Sequence, residues 1–229
     1  PRRFWYGGAL RATGFTARLL FLKGTGAGPI RWRRAVHLNR LLALLTRVGV
    51  DFPIPSRNVG LESLDPLKGV ALCTVHLPLA KVGVRSLLEH GVSVDATIVG
   101  RATGDGRFAV WGRSGKLETL VVDLTVLARA MSILADSGNV FLMIDGSYSK
   151  HKYSPNIMRA CGRVGSKAVF FYSTLNEDLE IVNTFLPLPH PNCESKAAIA
   201  ENIAFIRQAV ESVRLDYAVH PGGGAHPKV

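Results

Sequence analysis

Val70-Ala-Leu-Cys-Thr-Val75-His76 and Val140-Phe-Leu-Met-Ile144-Asp145 are two unbroken apolar runs, each ending on one ionisable residue. Short runs of this kind, without alternation, suit strands buried on both faces, as in parallel sheets. The first run extends from Gly69 to Val75 and the second from Asn139 to Ile144, and three more follow the same pattern: Val92 to Val99, Ser166 to Tyr172 and Leu179 to Phe185. Between them, Lys81 to Glu89, Leu117 to Ser137, Ser154 to Val164 and Ser195 to Leu215 have the length and apolar spacing of helices. Strands alternating with helices predict an α/β domain with a mainly parallel sheet flanked by helices.

Working outward, the chain of 229 residues with 47% apolar content supports one large core, hence a single domain. Residues 51–218 form the expected α/β domain, and residues 1–50 a basic helical region before it. In that region Trp32, Val36, Leu38, Leu41, Leu42, Leu45 and Val48 make an apolar stripe beside an arginine-rich face, predicting an amphipathic basic helix over 31–48. A second helix is expected over 4–22, broken at Gly7-Gly8 and stopped by the segment from Gly24 to Pro29. Residues 219–229 have no apolar periodicity and are expected to be a disordered or engineered tail.

Lys and Arg outnumber Asp and Glu by 28 to 17, for a net charge of +11. Much of the excess precedes residue 50, at Arg2, Arg3, Arg11, Arg18, Lys23, Arg31, Arg33, Arg34, Arg40 and Arg47. Such a face suits an anionic membrane surface, an acidic carrier protein or a polyphosphate such as coenzyme A. It suits nucleic acid less well, because aromatic residues are not interleaved with the basic ones on a recognisable binding module. Arg40 and Arg47 bracket the longest apolar candidate, so no membrane-spanning segment is expected. Cys73, Cys161 and Cys193 lack metal-type spacing and form an odd set, which predicts reduced thiols, no zinc and a cytoplasmic setting.

Ligands of open α/β sheets bind beyond the carboxyl ends of the strands. His76 and Asp145 both stand there, one residue past their runs, so a His able to act as general base shares a sheet edge with an acid able to orient it. Other signals are weaker. Ser147-Tyr-Ser-Lys150 has Ser-x-x-Lys spacing but lacks the accompanying signatures. Gly24-Thr-Gly26-Ala-Gly28 runs into Pro29 and not into a helix, against a dinucleotide loop. Lys150, His151 and Lys152 are a charge cluster that could meet a phosphate or simply be solvated, and Cys73 and Cys161 suit small core positions.

These residues also carry a family likeness. Residues 68–81, from Lys68 through His76 to Lys81, resemble the first motif of the lysophospholipid acyltransferases, in which a strand delivers a His followed five positions later by Asp or Glu. The likeness is strongest to the lauroyl/myristoyl branch, which acylates lipid A precursors. Phe141-Leu-Met-Ile-Asp145-Gly-Ser-Tyr-Ser149 resembles the third motif, a strand running into Glu-Gly-Thr-Arg-Ser, with Asp145 at the acidic position, Gly146 at the Gly, Ser147 at the Thr and Ser149 at the Ser. Residues 157–171 resemble the helix, Gly turn and strand that follow, and the likeness runs over about residues 35–218. The sequence departs from the pattern twice: Lys81 replaces the acid of the first motif, and Tyr148 replaces an Arg that helps hold an acceptor phosphate.

The resemblance implies a fatty acyl transfer from an acyl-carrier protein or acyl-CoA thioester to a lipid, sugar or amine acceptor, with no bound cofactor and no metal. His76 and Asp145 would be catalytic, and Lys81, Gly146, Ser147, Ser149 and Lys150 would lie against substrate. With Lys81 where the acid belongs, Asp145 or Glu89 has to support His76. The implied location is peripheral, at the inner face of the membrane. The alternative is a catalytically silent protein of the same fold that binds acyl chains or lipid as a partner subunit.

Overall fold

The computed structural model describes residues 30–47, 53–64, 68–100, 107–111, 116–145, 153–176, 178 and 180–218. In chain order the elements are α1 (Ile30–Arg47), β1 (Ser56–Val59), β2 (Val70–Thr74), α2 (Ala80–Glu89), β3 (Ala96–Val99), β4 (Arg107–Ala109), β5 (Lys116–Val121), α3 (Val126–Ala135), β6 (Val140–Met143), α4 (Asn156–Val164), β7 (Lys167–Leu175), β8 (Ile181–Pro187) and α5 (Lys196–Ala218). The strands form an eight-stranded sheet in the order β1-β8-β7-β2-β6-β3-β5-β4. The α/β class with a mainly parallel sheet is as the sequence predicts. Its centre, β7-β2-β6-β3-β5, is parallel throughout, whereas β8 runs antiparallel to β7 and β4 antiparallel to β5.

Both quoted runs lie at the sheet centre, which is why, the buried Thr74 apart, their strand residues are apolar. Along β2, Ala71 and Cys73 point into one core and Val70 and Leu72 into the other; along β6, Val140 and Leu142 oppose Phe141 in the same way. The first core is closed by α1, α3, α4 and α5 through Leu38, Leu42, Leu134, Ile157, Ile206 and Val210. The second is closed by α2 through Val84 and Leu87, over a row of rings from Phe108 to Phe141 to Phe171 to Phe185 with centroids 5.5, 6.0 and 5.4 Å apart. Each fully buried Leu or Phe contributes on the order of 1.5–3 kcal/mol of apolar transfer. Helix α1 therefore belongs to the main core: Ala35, Leu38 and Leu42 are buried in it. The helix expected over 4–22 and the tail 219–229 lie outside the described residues.

Three sequence expectations differ from the structure. Residues 117–137 are not one helix: Lys116–Val121 is strand β5, and α3 begins only at Val126. Strand β3 offers free backbone groups that β5 pairs with, and Asp123 then accepts hydrogen bonds from the Thr125 amide (2.7 Å) and hydroxyl (2.9 Å), turning the chain into α3. Strand β3 is also shorter than expected, starting at Ala96, and the edge strands β1 and β4 have no apolar run to announce them. Among the described residues, no helix is long and apolar enough to cross a membrane.

The amino ends of the central strands are tied by Asn139. Its Oδ1 accepts from the Val70 amide (3.0 Å), its Nδ2 donates to the Ser93 carbonyl (3.0 Å), and its own amide donates to Asp95 (2.7 Å). Two turn glycines separate conformation from contact. Gly60 (φ +80°) and Gly91 (φ +78°) are both left-handed, but a methyl at Gly60 would run into the Phe185 carbonyl whereas one at Gly91 meets open space. Gly91→Ala is expected to cost about 1 kcal/mol, the left-handed penalty alone, and Gly60→Ala clearly more. Urea unfolding of both variants checks this, and equal losses would show that the Phe185 contact is unimportant.

Candidate active site

Pairing of Thr74 with Met143 in the β2–β6 ladder sets the next same-facing residues, His76 and Asp145, level at the carboxyl edge. The ladder runs one bond further, from the Ile144 amide to the Thr74 carbonyl (2.9 Å). Asp145 then holds His76 twice: Oδ2 accepts from the His76 backbone amide (2.9 Å), and Oδ1 lies 2.7 Å from Nδ1. In the neutral ring Nδ1 therefore carries the hydrogen, and Nε2 keeps its lone pair. The His76 side chain is 51% exposed and that of Asp145 only 19%, so the acid sits behind the imidazole, not beside it in solvent.

The charge balance at His76 has opposed parts. The Asp145 hydrogen bond raises the imidazole above its ordinary value of 6.5, burial lowers it, the Asp145 charge raises it again, and the Lys81 cation lowers it. The net direction is upward. Lys81 itself is pushed down to about 8 by burial. Its ammonium lies over two aromatic faces, 4.0 Å from the Phe108 centroid and 4.2 Å from that of Trp111, which favours the cation.

An open cavity of about 400 Å³ adjoins this pair. His76, Leu77, Pro78, Ala80 and Lys81 form one wall, Trp32, Val36, Asn39 and Arg40 of α1 a second, and Trp111 and Met143 the rest. Asn39 ties the walls together, because its Oδ1 accepts from the Trp111 indole (2.6 Å) and the Leu79 amide (3.4 Å). Leu79 is fully buried and left-handed (φ 71°) at the start of α2. A left-handed leucine costs on the order of 1–3 kcal/mol, and it turns α2 so that Lys81 returns over the cavity.

His76, Asp145 and Lys81 are thus brought together as sequence spacing suggests. Glu89, the other acid considered for His76, pairs with Arg85 instead (2.7 Å). Gly146, Ser147, Ser149 and Lys150 lie outside the described residues. Sequence reasoning did not place Asn39, Phe108 or Trp111 at the site, and read Trp32 only as part of an apolar stripe. For Asn39 a signal existed, as an uncharged polar residue between apolar and arginine positions on an amphipathic helix. Trp111 gave none, being set in position by the fold alone. Cys73 and Cys161 are buried, with burial pushing Cys161 up to about 12 and Cys73 well above the ordinary thiol value; neither is poised as a nucleophile. No family model and no curated protein matches the chain.

Asp145→Asn removes the charge that raises His76 and leaves Nδ1 at most a weaker hydrogen bond to a neutral amide oxygen, while burial and Lys81 still lower it. A two-dimensional NMR titration of His76 should give a midpoint above 6.5 in the unmodified chain and below 6.5 in the variant. Lys81→Gln should move it upward. Coincident midpoints in all three proteins would show that the pair does not control His76.

Proposed function

We propose that this chain is an acyltransferase that moves a fatty acyl group from an acyl-carrier protein or acyl-CoA thioester to a hydroxyl or amine acceptor, with His76 as general base. The observation that carries the reading is the double grip of Asp145 on His76, which fixes the ring beside an open cavity that His76 itself lines. In general-base catalysis a carboxylate on Nδ1 selects the useful tautomer and stabilises the imidazolium that forms. The resemblance of residues 68–81 and 141–149 to two acyltransferase motifs supports the same chemistry, as do the apolar walls that would receive an acyl chain.

In this reading Nε2 takes the acceptor proton as the acceptor oxygen or nitrogen attacks the thioester carbonyl. The tetrahedral intermediate collapses with loss of the thiolate, which recovers the proton from the imidazolium. No covalent acyl-enzyme is required. The basic face of α1 and the net charge of +11 favour an acidic carrier or an anionic membrane surface as the docking partner, and support a peripheral location at the inner face of the membrane. The competing reading, a silent lipid-binding member, draws on Lys81 at the position of the motif's acid. Asp145 supplies a carboxylate to His76 from the neighbouring strand, so Lys81 by itself does not argue for silence.

The deciding experiment incubates the chain with acyl-carrier and coenzyme A thioesters of several lengths and identifies the consumed donor and the acylated product by mass spectrometry. His76→Ala should abolish turnover with the fold retained. Asp145→Asn should lower kcat by about two orders of magnitude or more, in the range expected for general-base support. The rate should climb with pH through the raised value of His76, since only the neutral imidazole accepts a proton. A folded chain that binds lipid yet consumes no thioester would establish the silent reading.

A further inference from the structure

We propose that Lys81 is itself an acylation site: its side-chain amine takes the acyl group of a thioester held in the cavity that it shares with His76, leaving an Nε-acyl-lysine and a free thiol. The reactive amine stands on the cavity alone; a thioester as its natural donor rests on the acyl-transfer reading. Lys81 lines the cavity from the second position of α2, and its nitrogen is placed by two rings, 4.0 Å from the Phe108 centroid and 4.2 Å from that of Trp111. Trp111 is in turn fixed from two sides, since Asn39 accepts its indole hydrogen (2.6 Å) and its carbonyl accepts from Arg85 (3.2 Å).

The surroundings disfavour the ammonium. Burial pushes Lys81 down to about 8, and the geometry acts in the same direction. The first turn of α2 presents the positive end of the helix dipole. The other ionisable groups on the described cavity lining are His76 and Arg40, with no Asp or Glu among them. Arg85 and Glu89, the other charges of α2, pair with each other (2.7 Å), and Asp145 is bound to His76 at both carboxylate oxygens. Among the described residues no carboxylate pairs with Lys81. The ring faces alone favour the cation, by attraction to its charge. An amine that loses its proton therefore also loses its hold on the rings and is released to the cavity.

The neutral nitrogen attacks the thioester carbonyl carbon. The C–N bond forms, the C–S bond breaks, the sulfur leaves with the electron pair, and the proton shed by the nitrogen goes to that thiolate. No further reactant is needed. With its value near 8, about a quarter of the Lys81 amines are neutral at about pH 7.5, against about one in a thousand for a lysine at the ordinary 10.5. The weaker base is also the weaker nucleophile, and a Brønsted slope of about 0.5, the value for thiols, leaves a net gain of about tenfold. The resulting amide is uncharged, and its acyl chain occupies the cavity against Trp32, Val36 and Met143.

The full chain is incubated with S-octanoyl-N-acetylcysteamine, a neutral thioester without carrier or nucleotide, and the acylated lysines are quantified by peptide mass spectrometry across a pH series. At about pH 7.5 Lys81 should be acylated about tenfold faster than Lys167 and Lys196. Both controls are exposed, and Lys196 opens α5, so it shares the helix-end position without the cavity. The Lys81 rate should level off above about pH 9 while the control rates still rise. His76→Ala should still be acylated at Lys81, because a neutral amine needs no base. Equal rates at the three lysines, or a Lys81 rate that climbs with pH in parallel with the controls, overturns the proposal. Turnover of carrier or coenzyme A thioesters with Lys81 left unmodified overturns it too, and leaves acyl transfer standing. Preferential acylation of Lys81 in a chain that turns over neither donor supports it and counts against acyl transfer.

Discussion

The Asp145 carboxylate bound at once to the backbone and the ring of His76 is the constraint on which the site depends. A single hydrogen bond to Nδ1 would leave the ring free to swing about its χ angles. Adding the backbone amide fixes the turn that follows β2 as well, so ring, turn and strand end move as one unit. Charge-assisted bonds of this length are among the stronger polar contacts a protein makes, and the 19% exposure of the acid limits competition from water. Everything else near the cavity takes its place from that unit: Leu79 reverses the chain, α2 begins, and Lys81 comes back over Phe108 and Trp111.

The sheet makes this geometry possible. Parallel pairing of β2 with both β6 and β7 places its carboxyl end in the middle of the edge, flanked on both sides. The two cores grip the sheet from opposite faces, and Asn139 secures the far ends of the same strands. Helix α1 has two tasks. Its Leu38 and Leu42 complete one core, and its Trp32, Val36, Asn39 and Arg40 complete the cavity. The helix that the sequence shows as basic and amphipathic is a structural wall of the site.

The central strands and the His76–Asp145 juxtaposition were legible because they follow from local pattern plus one rule, that residues just past parallel strands share an edge. What failed was of a different kind. Residues 116–121 carry an apolar spacing compatible with either period, and it is the unpaired edge of β3 that decides for strand. Lys81 could be flagged as a departure from the resemblance, but its stacking on Phe108 and Trp111 is not encoded near residue 81. It depends on contacts made across the fold. Trp111 and Asn39 were missed for the same reason, since they meet from elements 72 residues apart in the chain.

That His76 and Asp145 are 69 residues apart has a kinetic consequence. Neither half of the pair can be assembled by local folding, and the parallel β2–β6 and β2–β7 pairings that align them each close a long stretch of chain before any contact repays the lost entropy. The pair is therefore expected to form late in refolding, after the local helices. On that order, a chain that has regained its helical signal would still lack the His76–Asp145 pair. The time between those two events measures how long the central strands take to find their register.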